Sequence, residues 1–575
     1  MKKLLKFLKG YYLQSVLAPT FKMLEALFEL LVPLAVAAII DKGINQNNRS
    51  VVLSMCGIMI ALGVIGLICA ICAQFFAARA AVGVATRVRS ALFSHIQKFS
   101  YKNTDKIGTS TLITRMTGDI NSMQTGVNMF LRLFMRSPFI VFGAMVMAFT
   151  ISPRLSLIFL GVIAILMVVV FGIMLISIPI YKKSQAKLDR VVGKVRENYN
   201  GARVIRAFNK EGAEIEEFDK RNDALTKIQI FAGRISALMN PLTYVIINLA
   251  IILLIRAGAI SVNSGNLTQG ELLALYNYMS QILVELIKLA SLIITLNKAS
   301  ASGKRVFAIL DTEPEEKRTA EAKSTDNGSA VCFDNVSFRY HKDGDEALSN
   351  ISFSVNKGET VGIIGGTGSG KSTLINLIPA FYAPTSGNVF INEKNALLYG
   401  KKELNGMFAV VPQKAVLFKG TVRSNLLFGK NDATDEELLD ALSKAQALDF
   451  VNELENKLDA TVEQNGRNLS GGQKQRLTIA RALVRKPQFL ILDDSASALD
   501  YATESRLRSA LSSLDYSPTT FIVSQRASSI MHADKILVLD DGEVVGMGTH
   551  AELLESCDVY KDIYRSQFSE GGEAK

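Results

Sequence analysis

The run GETVGIIGGTGSGKSTLINLI, residues 358–378, places Gly365, Gly370, Lys371 and Ser372 at the spacing G-x-x-x-x-G-K-[ST], after a strand-like apolar stretch and before helical residues. Glycines without a Cβ let backbone N–H groups approach phosphate oxygens, and the following helix turns its N-terminus toward the anion. Gly366, Thr367, Gly368, Ser369 and Thr373 complete this cradle; Lys371 reaches the outer phosphates, and Ser372 can ligate Mg²⁺. A second anion site is written into LSGGQ: Ser470 is a good N-cap, and Gly471 and Gly472, with Gln473, open the helical run KQRLTIARALVRK. The apolar run 489–492 ends in Asp493 and Asp494, as a metal-facing strand would, although an ordinary acidic turn looks the same.

These motifs need elements to hold them. From residue 331 onward, the β-rich runs VCFDNVSFRY, ETVGIIG, FAVVPQ, FLILD, TTFIVS and KILVLD alternate with helical segments, which predicts an α/β domain over 330–575 around a largely parallel sheet. Before it, residues 304–329 are polar and charged without apolar periodicity and are expected to be a linker.

Residues 1–303 are of another kind. Apolar stretches long enough to cross a bilayer, about 20 residues at 1.5 Å each, fall near 16–40, 52–78, 130–151, 155–180, 236–260 and 271–297. The 575-residue chain is 49% hydrophobic and only 20% charged, which excludes a disordered chain and a single compact domain. The net charge of +11 calls for no nucleic acid, because Arg and Lys gather in two connections, 79–115 and 182–234. By the positive-inside rule those connections and both termini are expected to be cytoplasmic, in an integral membrane protein. The stretches between the flanking spans, 79–129 and 181–235, are about 50 residues each with little Gly or Pro, so the spans are expected to continue as helices and end in turns near 101–113 and 200–208, placed to touch a soluble domain. Residues 1–14, where Leu4, Leu5, Phe7 and Leu8 intersperse with lysines, suit an interfacial helix rather than a cleaved signal. The five cysteines show no zinc spacing and are read as reduced.

With these motifs in this order, the chain resembles the ATP-binding cassette (ABC) family: six spans followed by one cassette look like a half-transporter of the multidrug and lipid-export type. The resemblance covers almost the whole chain. It implies a six-span helical membrane bundle with long cytoplasmic extensions, fused to an α/β P-loop ABC nucleotide-binding domain. It also implies ATP and Mg²⁺ as ligands, and a dimer in which each ATP lies between one chain's Gly366–Thr373 loop and the other's Ser470–Gln473. Carried over by motif, Tyr340 stacks on adenine and Gln413 contacts Mg²⁺. Ser497–Asp500 crosses to the opposite site, and Glu463 and Gln464 lie where coupling turns touch the cassette or are plain surface charge.

Two positions depart from the family. After the metal-facing Asp493 the family usually has Glu, which polarises the attacking water; here it is Asp494. A displacement of about 1 Å from productive geometry costs on the order of 10²-fold in rate. At the family's switch His stands Gln525, which cannot carry a charge to the γ-phosphate. With LSGGQ intact, the pattern resembles one half of a heterodimeric exporter whose own site is degenerate. The expected partners are a second half-transporter, membrane lipids and a hydrophobic or amphipathic drug or lipid as cargo. The alternatives are an active homodimer and a regulatory ATP-binding subunit or gated conduit. Inside the spans, Glu25 and Glu29 share a face, as do Arg132 and Arg136; with Arg256, Glu285 and Lys288 they either pair between helices or touch substrate.

Overall fold

The computed structural model describes residues 2–314, 328–341 and 344–568. The chain divides into one unit of residues 1–97 and 108–313 and another of residues 98–107 and 314–575.

Among the described residues of the first unit, six helices are long and apolar enough to cross a membrane: Tyr12–Ile44, Arg49–Ile96, Thr109–Ile151, Pro153–Asn200, Glu211–Asn263 and Gln269–Leu310. A helix of 48 residues is about 72 Å long at 1.5 Å per residue, more than twice the hydrocarbon thickness of a bilayer. The extensions expected beyond the spans are therefore helical. Local chemistry starts them: Asn48 Oδ1 accepts from Val51 N–H, Pro153 sits in a first turn, and Thr268 and Glu271 form a reciprocal capping box.

Small residues let the first two helices approach closely; Ala18, Ala73, Ala77 and Ala80 are fully buried. A Cβ on Gly83 would lie 2.2 Å from the Tyr11 ring, and one on Gly126 would lie 2.2 Å from Ala299 Cβ. The helix expected over 1–14 is shorter: it runs Lys2–Phe7, Gly10 turns the chain at φ +89°, and the next helix already begins at Tyr12.

The intramembrane charges condense on Arg136. Its guanidinium donates to Glu29 at 2.7 Å and to Glu285 at 2.6 Å, and lies 3.9 Å from Glu25. Lys22 neutralises Glu25, Lys288 neutralises Glu285 at 2.9 Å, and Ser137 Oγ donates to Glu285 at 2.8 Å. The network is charge-balanced and ties three helices together; Arg132 and Arg256 are not in it. Of the two readings of these charges, this geometry favours pairing between helices.

In the second unit a six-stranded sheet has the order Glu543–Gly548, Lys535–Asp540, Thr360–Gly365, Thr519–Val523, Phe489–Asp493, Phe408–Val411, parallel except for the first pair. The run at 331–340 does not join it. Val331–Phe338 pairs antiparallel with Leu348–Val355 and with Ser386–Ile391 in a separate four-stranded sheet, because it is joined to Leu348 by a short connection that only antiparallel pairing permits. Phe333, Phe353, Ile363, Leu374, Phe489 and Phe521 belong to the core between the two sheets.

The expected turn near 101–113 is two short helices, Tyr101–Ile107 and Thr109–Thr114, parted by Gly108 at φ +79°. The turn near 200–208 holds the short helix Ala202–Ala207. Residues 304–310 are helix rather than linker, since Val306 and Ile309, three apart, are buried and continue the apolar stripe of Gln269–Leu310. The remainder of that expected linker, 315–327, lies outside the described residues.

Candidate nucleotide site

Strand register sets the site. Asp493 ends one strand directly opposite Val523 on the next, and Val523 pairs with neither more nor less than Ile363 on its other side. The loop after Gly365, the acidic pair 493–494 and the turn 524–526 therefore emerge side by side at the carboxyl ends of three parallel strands, where open α/β sheets bind ligands.

Glycine is required at two points of the loop. A Cβ on Gly365 would sit 2.1 Å from Leu539 O, and Gly370 combines φ +95° with an approach of 2.8 Å to Ala347 O. The loop wraps the Lys371 ammonium, whose Nζ donates to Gly366 O at 2.5 Å, Gly365 O at 3.0 Å and Ser369 Oγ at 3.3 Å. Burial lowers the Lys371 pKa, and Asp494 and Asp493 counter that shift.

Ser372 Oγ lies 3.4 Å from both carboxylate oxygens of Asp493. Among the described residues no three His, Cys, Asp or Glu side chains gather to hold a metal by themselves. The hard oxygen donors Ser372 and Asp493, beside a phosphate cradle, fit Mg²⁺, which takes few protein ligands and completes its shell with phosphate and water. Gln413 Nε2 donates to Asp494 Oδ2 at 3.3 Å. Burial pushes both acidic pKa values up; the Ser372 hydrogen bond opposes this at Asp493, and the Gln413 hydrogen bond opposes it at Asp494. Asp494 adopts φ +44°, held by N–H to Val523 O at 3.0 Å and by the Ser497 hydroxyl on its carbonyl at 2.8 Å.

Tyr340 OH is 3.1 Å from Thr373 Oγ1, and its ring meets Phe338 and Tyr382 edge-on at 4.9 and 5.5 Å. Tyr340, Thr367, Gly368, Lys371, Ser372, Gln413, Asp493, Asp494 and Gln525 thus line one cavity of about 340 Å³.

Ser470–Gln473 does not line this cavity. Ser470 caps the helix Gly471–Val484 in a capping box, its hydroxyl accepting from Gln473 N–H at 3.3 Å and its own N–H donating to Gln473 Oε1 at 2.9 Å. A Cβ on Gly472 would lie 3.1 Å from Ala498 O, so the bare helix start packs on the segment Ser497–Asp500. Glu463 and Gln464 are exposed. The chain presents a phosphate cradle in one place and a capped glycine helix end in another.

Sequence reasoning missed three contributors. Ser524 lines the cavity, buried Glu504 accepts from Arg526 at 3.4 Å and from Ser529, and Tyr382 backs Tyr340. None sits in a motif; each is found only by strand register or by contacts from distant sequence.

Residues 16–286 match the ABC transporter transmembrane region, and residues 348–497 match the ABC transporter family. The uncharacterized ABC transporter ATP-binding protein YfiB of Bacillus subtilis is 37% identical over the full length of both chains. YfiC of the same organism is 30% identical over 96% of this chain and 92% of its own. The B. subtilis ATP-binding/permease protein YgaD, which carries a provisional multidrug-export name, is 32% identical over 99% of each. A solved bacterial Atm1-family ABC exporter with ATP bound shares the fold, with a TM-score of 0.80 at 23% identity over 99% of each chain. The chain therefore belongs to the ABC transporters, as a half-transporter carrying its membrane helices and its ATP-binding domain in one polypeptide.

Proposed function

We propose that this protein is one subunit of a heterodimeric ATP-driven exporter, to which it contributes a weak ATP site of its own and a sound glycine helix end for its partner's site. One observation carries the reading: Asp494 and Gln525, the two departures from the family, line the same cavity, whereas Ser470–Gln473 keeps its capping box. Asp494 is a methylene shorter than Glu, and Gln525 offers the γ-phosphate a neutral partner where a charged donor would bind more strongly.

In this reading ATP with Mg²⁺ binds across two chains, held here by Lys371, Ser372, Asp493 and Gln413 with adenine on Tyr340. Closure of the two cassettes moves the short helices 101–107 and 202–207, which carry the change into the spans; hydrolysis, mainly at the site made by the partner's phosphate cradle and this chain's Ser470–Gln473, resets them. Both termini and the ATP-binding domain are cytoplasmic in this reading, with the basic connections as support. Amphipathic drugs or lipids are the cargo class, with the name of YgaD as support.

A second reading has its own observation. The Gln413 hydrogen bond at 3.3 Å orients the Asp494 carboxylate, which is the arrangement an active homodimer would need. Tagging the chain in its own cell and measuring what copurifies separates the two. A stoichiometric second half-transporter with Glu and His at the positions of Asp494 and Gln525 supports the heterodimer. A homodimer whose ATPase is abolished by Asp494→Asn overturns it.

A further inference from the structure

One side chain far along the sequence grips the turn that carries Gln525. Gln567, on the helix Asp558–Gln567, donates from Nε2 to Gln525 O at 2.7 Å and accepts at Oε1 from Ala527 N–H at 2.8 Å. A single carboxamide offers a donor and an acceptor at fixed spacing, so it spans the backbone on both sides of Arg526 as a neighbouring strand would. The helix that holds it is firmly seated. Tyr560 is fully buried in a cluster with Ala527, Ile530 and Ile536, and its hydroxyl meets His550 Nδ1 at 2.7 Å. From the other side, Glu504 holds Arg526 and Ser529. The turn is thus fixed at its backbone while Ser524 and Gln525 face the nucleotide cavity.

We propose that Gln567 is a positioning residue of the nucleotide site: its paired hydrogen bonds set where the 524–527 turn presents Gln525, and so set how long this chain's site keeps its ATP. The proposal rests on the reading of Gln525 as the γ-phosphate contact. Gln567 is itself exposed, so its replacement leaves the buried cluster around Tyr560 in place.

The test uses the full-length transporter with whatever subunit copurifies. Labelled 8-azido-ATP is bound, chased with unlabelled ATP for increasing times and then photocrosslinked, so that label retained on this chain reports release from its own site. Gln567→Leu, which removes both hydrogen bonds, and Gln567→Asn, too short to span them, are expected to speed release about two- to tenfold, the scale of one or two hydrogen bonds, with an unchanged Tm. In a Gln525→Ala background, Gln567→Leu is expected to add nothing. Wild-type release in both Gln567 variants, an equal acceleration in the Gln525→Ala background, or a fall in Tm alone overturns the proposal. Gln525→Ala releasing at the wild-type rate overturns the γ-phosphate reading, and the proposal with it; faster release from Gln525→Ala with none from the Gln567 variants overturns the proposal alone.

Discussion

The phenol of Tyr382 donates a hydrogen bond to the carboxylate of Asp105, joining the short helix Tyr101–Ile107 to a residue whose ring also packs on Tyr340. Tyr101 stacks on Phe381 at 4.4 Å beside it, and Ser100 N–H donates to Pro314 O. Burial, then the Asp105 hydrogen bond, holds the Tyr382 phenol protonated well above its usual range. Tyr340 and the connection between the second and third long helices therefore share one neighbour. Tyr382→Phe keeps the ring and loses the bond. ATPase assays with and without transported compound are expected to show an unchanged KM for ATP and a loss of compound stimulation of a few-fold, the scale of one charge-assisted hydrogen bond. A changed KM with intact stimulation contradicts this.

Asp494→Glu with Gln525→His gives the site the longer carboxylate and a chargeable donor. Turnover at this chain's site is expected to rise, by up to on the order of 10²-fold if carboxylate reach is the main defect. ATPase and nucleotide retention that both stay unchanged contradict the degenerate-site reading.

The acidic pair also makes a pH prediction. Burial raises the folded pKa of Asp494 above its unfolded value, so the folded chain holds its proton more tightly and this carboxyl's contribution to stability falls as pH rises from about 4 through the folded pKa. Thermal unfolding without nucleotide is expected to give Asp494→Asn a higher Tm than wild type at neutral pH, with the gap narrowing toward pH 4. A gap that widens on acidification refutes the sign.

Arg136 is the hub of the membrane charges, and removing it leaves Glu285, whose side chain is 3% exposed, with Lys288 and Ser137 alone, and takes the cation from Glu29. Arg136→Met is expected to destabilise the protein by about 1.5–3 kcal/mol, the scale of a lost hydrogen bond to a charged group whose second cation remains, and to show this as a lowered Tm in detergent. Glu29 is 43% exposed, so Glu29→Gln is expected to cost under about 1 kcal/mol. If Glu25→Gln with Glu29→Gln instead changes compound-stimulated ATPase at constant Tm, these carboxylates touch cargo.

Much of this protein is local and so was legible in the chain alone. Six long apolar runs, the glycine spacing before Lys371 and the Ser470 cap each draw on neighbours a few residues away, and hydropathy, Cβ sterics and capping act at that range. The run 331–340 shows where this stops: its β character was plain, but its sheet depended on a partner strand, and alternation cannot name the partner. The same limit hid Lys304–Leu310, whose apolar positions gain meaning only once Val306 and Ile309 have something to pack against. Tertiary structure alone decided that Asp493 would stand opposite Val523, that Arg136 would collect three glutamates, and that Gln567 would close on the turn of Gln525. Those relations join residues tens to hundreds of positions apart, and they arise from strand register and helix packing, which follow from the whole fold's buried surface rather than from any one segment's pattern.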